Sequence, residues 1–148
     1  MIQENEVHQG SCLCESVKYQ IESDLKAIVH CHCRFCSKAH GAAFTTILFM
    51  PFADLTILKG AEFIERFHIE AVNADRCFCG RCGTRLYNHR PSTGSVSLVV
   101  ATLNSVEVLR PVAHFNTESK CAWFQIQDEL PQFLAAPAAA EFKQLMSS

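Results

Sequence analysis

Cys79-Gly80-Arg81-Cys82-Gly83 sets two thiols on either side of a dipeptide, with a glycine directly behind the second. Two residues between thiolates let backbone N–H groups turn toward the sulfurs, and the glycine relieves the steric conflict of so tight a turn. A thioredoxin-like pair of this spacing follows a strand and opens a helix in a βαβ pattern, which is absent here. The pair therefore reads as half of a metal site. Gly10-Ser11-Cys12-Leu13-Cys14 supplies the other half, with 64 residues between Cys14 and Cys79. Structural zinc takes four protein ligands, so Cys12, Cys14, Cys79 and Cys82 would clamp the first loop to the second half of the domain. In zinc-finger peptides such binding is worth ~10–16 kcal/mol apparent, enough to decide whether a fold exists.

Cys31-His32-Cys33-Arg34-Phe35-Cys36 differs in kind. Three thiolates within six residues can surround one ion, while a catalytic zinc site keeps one position open. The seven cysteines of these groups divide as four plus three, giving two zinc ions per chain. His40 competes for the fourth position of the triplet; His32, between two ligands, is poorly placed to face the same ion. A regrouping of two triplet thiols with Cys79 and Cys82 stays formally open. A zinc ion held by three thiolates is a poor activator of water but favours a soft fourth ligand, such as an incoming thiol bound as thiolate. That chemistry points to a small thiol meeting a carbonyl rather than to hydrolysis.

The rest of the chain reads as an antiparallel β domain with little helix. Val17-Lys18-Tyr19-Gln20-Ile21 alternates apolar and polar with the period of a half-buried strand. Further strands are expected at Ala27–His30, Thr45–Phe49, Leu55–Leu58, Phe63–Ile69, Thr84–Tyr87, Val96–Ala101 and Val112–Phe115. Turn chemistry separates them at Lys59-Gly60, Asn73-Ala74-Asp75 and Pro91-Ser92-Thr93-Gly94. A short helical turn is expected after Cys36, through Ser37–His40, with Gly41 as its stop, and a helix within Leu134–Lys143, with Pro137 best placed in its first turn.

The 148 residues suit a single zinc-binding domain. With 13 basic against 15 acidic residues and no Lys/Arg block, nucleic acid and membrane surfaces are not the expected partners. No apolar run approaches the ~18 residues that span a bilayer. The opening Met1-Ile2-Gln3-Glu4-Asn5-Glu6 is acidic and polar, unlike a secretory leader. An odd cysteine count of nine, tightly clustered, fits metal ligation in a reducing cytoplasm better than a disulfide framework.

Together these stretches resemble the glutathione-dependent formaldehyde-activating enzyme family, which also contains centromere protein V. The resemblance rests on His8–Cys14, on Cys31–Phe44, on Arg76–Leu86, and more weakly on Ser119–Phe124 with Asp128–Pro131, spanning residues 8–131. It implies a β-tent-like fold, a structural zinc on Cys12, Cys14, Cys79 and Cys82, and a catalytic zinc on Cys31, Cys33 and Cys36. The implied reaction joins glutathione and formaldehyde to S-hydroxymethylglutathione, a carbon–sulfur lyase activity. Asn104 departs from the aspartate that family members often carry in Ala101-Thr102-Leu103-Asn104.

Arg34 and Lys38, beside the triplet, are candidate partners for glutathione carboxylates, against the alternative of solvated loop charges. Trp123 and Phe124 are expected in the core, against the alternative of walling a substrate pocket, and Phe44, Phe49 and Phe52 read the same way. Cys77 and Cys121 read as small buried hydrophobes, although Cys77 alternates with Cys79 and so could approach the same metal. His30, His68, His89 and His114 read as satisfied structural histidines. The competing functional reading is a non-enzymatic, zinc-stabilised module that binds protein, or a zinc/redox sensor whose triplet ejects zinc on oxidation.

Overall fold

A computed structural model of the chain describes residues 6–147; residues 1–5 of the acidic opening lie outside them. The architecture is mainly β, with ten strands and two short α-helices among the described residues. In chain order these are β1 (Val7–Ser11), β2 (Lys18–Glu22), β3 (Ile28–Cys31), α1 (Arg34–His40), β4 (Thr45–Pro51) and β5 (Leu55–Lys59). They continue with β6 (Ile64–Ile69), β7 (Ala74–Cys79), β8 (Arg85–Arg90), β9 (Ser95–Val99), β10 (Ala113–Phe115) and α2 (Ala139–Met146). The chain divides into two compact units, Met1–Asp24 with Leu48–Val108, and Leu25–Ile47 with Leu109–Ser148.

In the first unit, β2 lies between β1 and β5 in a three-stranded antiparallel sheet. The alternation read at Val17–Ile21 is realised there: Tyr19 and Ile21 are buried, while Lys18 and Glu22 face solvent. Gly10 pairs with Tyr19 across the β1–β2 register. A Cβ at Gly10 would collide with the Tyr19 hydroxyl and the Thr102 carbonyl, so only glycine fits. Strands β6 to β9 each pair antiparallel with the next, and Leu86, Val96 and Leu98 are buried in β8 and β9. The expected strand Val96–Ala101 stops at Val99 because Val100–Thr102 winds into a 3₁₀ turn.

In the second unit, β3 and β10 pair in parallel, with His114 opposite His30 and Phe115 opposite Cys31. Parallel neighbours need a long crossover, and this pair departs from the antiparallel pairing of β1 with β2, of β2 with β5 and of β6 through β9. Ile28, Val29, Ala113 and Phe115 supply its buried surface. Helix α1 begins at Arg34, three residues before the expected Ser37, with Cys33 as N-cap, and stops at Gly41 in the left-handed region (φ 63°, ψ 36°). The expected C-terminal helix begins late, at Ala139, after an extended Ala138. Pro137 has no N–H and disfavours helical backbone at the residue before it, so residues 134–136 stay outside. No helix among the described residues is long and apolar enough to cross a membrane.

Candidate metal centres

The first unit brings together the Sγ atoms of Cys12, Cys14, Cys79 and Cys82, all within 4.8 Å of one another. Four sulfurs at ~2.3 Å from a tetrahedral centre stand about 3.8 Å apart. Cys12 and Cys14 lie 3.7 Å apart, and Cys14 and Cys79 lie 3.9 Å apart, so the group fits a zinc-sized ion. The turn after β7 shows why the sequence folds this way. Gly83 (φ 79°) donates its N–H to the Cys79 carbonyl at 2.7 Å, and the Arg81 N–H points at Cys79 Sγ at 3.4 Å. The Val17 N–H donates to Cys12 Sγ at 3.3 Å. The Leu13 N–H donates to Thr84 Oγ1 at 3.0 Å, tying the two loops together without metal.

The four thiols hold their protons unequally. Burial pushes Cys79 up to about 11. The Thr84 hydroxyl, 3.1 Å from Cys82 Sγ, draws that thiol down to about 5, and the Ser16 hydroxyl lowers Cys14. Metal ligation requires thiolates, so binding here expels the Cys79 proton while Cys82 is already prepared.

The second unit gathers Cys31, Cys33 and Cys36, again within 4.8 Å. Cys31 ends β3, Cys33 caps α1, and Cys36 lies in its first turn. Cys31 and Cys36 are buried with their sulfurs 3.5 Å apart, while Cys33 is partly exposed and accepts the Cys36 N–H at 3.3 Å. Contact with Cys33 chiefly raises Cys31, and contact with Cys31 chiefly raises Cys36. Such thiols resist losing their protons together unless a cation takes their place. Among the described residues no histidine or carboxylate joins this group: neither His32 nor His40 belongs to it, and no triplet thiol is grouped with Cys79 or Cys82.

His32 has a different partner. Its Nε2 lies 2.8 Å from His114 Nδ1, and His114 Nε2 lies 3.0 Å from both oxygens of Asp128. The carboxylate can only accept, so His114 donates to it through Nε2, and one proton is shared between His32 Nε2 and His114 Nδ1. His32 Nδ1 is buried without a hydrogen-bond partner. Burial, with repulsion from His114, lowers His32 to about 4, keeping it neutral near pH 7. Phe44 packs against His30 and His32, and Phe124 against Phe44, walling this chain of imidazoles.

Other expectations divide. Arg34 and Lys38 are exposed on α1, and Arg34 donates to Ser37 Oγ at 3.1 Å. Cys77 is buried as expected and lies outside the metal group, whereas Cys121 is only half-buried. Trp123 is 74% exposed and Phe52 42%, so neither is a core residue. Both lie on irregular or 3₁₀ chain, where no strand face turns them inward. Phe52 instead stacks on His89 with centroids 4.1 Å apart.

Comparison with known proteins gives two findings. The family model described as glutathione-dependent formaldehyde-activating enzyme matches residues 7–119, a span that contains all seven clustered thiols. A crystal structure of a Rhodobacter sphaeroides protein is similar in fold, with a TM-score of 0.58 at 24% identity, covering 68% of this chain and 91% of that one.

Proposed function

The chain belongs to the glutathione-dependent formaldehyde-activating enzyme family, and we propose that it is a zinc-dependent carbon–sulfur lyase that forms or cleaves a thiol–aldehyde adduct. Glutathione and formaldehyde are the thiol and aldehyde, and S-hydroxymethylglutathione is the adduct. On this reading residues 1–148 form one zinc-binding, cytoplasmic domain whose family-like core runs from about 8 to 131. Cys12, Cys14, Cys79 and Cys82 hold a structural zinc, and Cys31, Cys33 and Cys36 hold a catalytic one. The observation that carries the reading is the three-thiol group, which gathers no fourth ligand among the described residues.

A zinc ion held by three thiolates would accept a soft fourth ligand and lower the pKa of an incoming thiol. The chain's own part is to present that position and orient what enters it. Cys33, the partly exposed member, leaves the group open on its side, while Cys31 and Cys36 are withdrawn from water. Arg34 and Lys38, exposed on the helix that carries Cys36, meet glutathione carboxylates through charge-assisted hydrogen bonds. In the forward direction the thiol sulfur bonds to the aldehyde carbon as the carbonyl π bond opens. The thiol's proton ends on that oxygen as a hydroxyl, and cleavage reverses each change. Holding both reactants makes the addition effectively unimolecular.

Thiols and formaldehyde combine unaided, so the test reads exchange at equilibrium rather than net product. Exchange NMR between free and glutathione-bound ¹³C-formaldehyde is expected to quicken with the two-zinc protein. It should return to the uncatalysed rate with Cys33→Ser, a variant expected to keep its fold and one zinc. Two-zinc protein without acceleration overturns the enzymatic reading in favour of a binding module. Global unfolding of Cys33→Ser overturns the division into two sites.

A further inference from the structure

Asn116 belongs to no candidate ligand group, yet its Nδ2–H donates to Cys31 Sγ at 3.4 Å. Two features of the chain put it there. Strand β10 runs parallel to β3 with Phe115 opposite Cys31, so the residue after Phe115 emerges level with the end of β3. Asn116 then adopts φ 61°, ψ 40°, the left-handed region that asparagine tolerates better than other side chains. An asparagine at the head of a helical turn ordinarily caps it with its side-chain oxygen. Asn116 heads the 3₁₀ turn Thr117–Ser119 and makes no such bond, its amide being turned to the sulfur instead.

We propose that Asn116 is a positioning residue of the three-thiol site, fixing the Cys31 sulfur and drawing charge from it through N–H···S. The inference rests on reading Cys31, Cys33 and Cys36 as a metal site. A hydrogen bond to an ionised sulfur is charge-assisted and stabilises its lone pairs, so it both favours the ligating form and lowers the sulfur's donor strength. Loss of comparable outer-shell partners typically costs tenfold to a hundredfold in metal affinity.

The experiment loads the full-length chain with Co²⁺ and follows the sulfur-to-cobalt charge-transfer band and competition with a chelator. Asn116→Gly relaxes the left-handed backbone while removing the amide, which separates the hydrogen bond from the fold. Asn116→Asp keeps a residue suited to that backbone and sets an acceptor against the sulfur. Both variants are expected to retain the first ion and the parent circular dichroism, and to bind the second roughly tenfold to a hundredfold more weakly. In Asn116→Gly the band of the second ion is expected to move to lower energy. Parent affinity and band in Asn116→Gly overturn the proposal; if that variant fails to fold, parent affinity in Asn116→Asp overturns it. A wild-type chain that takes up only one cobalt overturns the metal-site reading, and the role of Asn116 with it.

Discussion

Tyr19 is 1% exposed, and its hydroxyl lies 2.7 Å from Thr102 Oγ1, which itself donates to the Val99 carbonyl at 2.8 Å. Thr102 has a single proton to give, so Tyr19 is the donor of that pair. Burial pushes the phenol up to about 12, against about 10 in the unfolded chain. Between those values the folded state keeps a proton that the unfolded state has released. The contribution is therefore complete below pH 10 and is lost as pH rises toward 12, on the order of 2–3 kcal/mol in all. Tyr19→Phe is expected to cost about 1 kcal/mol at pH 8 for the lost hydrogen bond and to flatten the alkaline decline. Tyr87 is also raised by burial and declines in parent and variant alike, so the difference isolates Tyr19. Urea unfolding of both proteins from pH 8 to 12 reads this directly, and parallel declines would assign the loss elsewhere.

At the scale of elements, two glycines serve different ends. Gly41 closes α1 with φ 63°, and a Cβ there would meet nothing within 4 Å. Gly41→Ala should therefore cost only the left-handed backbone penalty, about 1–2 kcal/mol. Gly10→Ala should cost more, because its methyl group displaces the Tyr19 ring or the Thr102 backbone; urea midpoints that reverse this order would refute the account. Elements with a local pattern were legible in the sequence: the alternation of β2, and the α1 stop at Gly41. Strand β1 was not, because Val-His-Gln-Gly-Ser has no alternation and its glycine answers to a tyrosine on the neighbouring strand. Strand β7 was hidden because its inward side includes Arg76, 8% exposed, and because a bulge after Cys77 breaks the period. The parallel β3–β10 pairing joins distant segments and has no local signature at all.

Across the whole molecule the same distinction holds for the sites. Both thiol groups could be read in advance because each ligand pair or triplet is contiguous, and thiol spacing is itself the signal. The contacts around the triplet could not: His32 meets His114 across 82 positions, and Asn116 meets Cys31 across 85. Nothing in the flanking sequence of either partner announces the other. The separation of ligands also ranks the two sites energetically. Cys14 and Cys79 lie 65 positions apart, whereas Cys31 and Cys36 lie five apart. Closing the longer loop costs the unfolded chain roughly 2 kcal/mol more, an entropy that a bound ion removes in advance. Cys79 is also fully buried, while Cys33 is partly exposed. On the proposed assignment of an ion to each group, Cys79→Ser is thus expected to lower thermal stability steeply and to release the ion of the four-thiol group, with Cys33→Ser losing only the ion of the three-thiol group and unfolding near the parent temperature. Elemental analysis beside thermal circular dichroism checks the pair. Equal destabilisation by both substitutions would mean that the three-thiol group, too, holds the fold together, and would remove the distinction between a clamp and an open site.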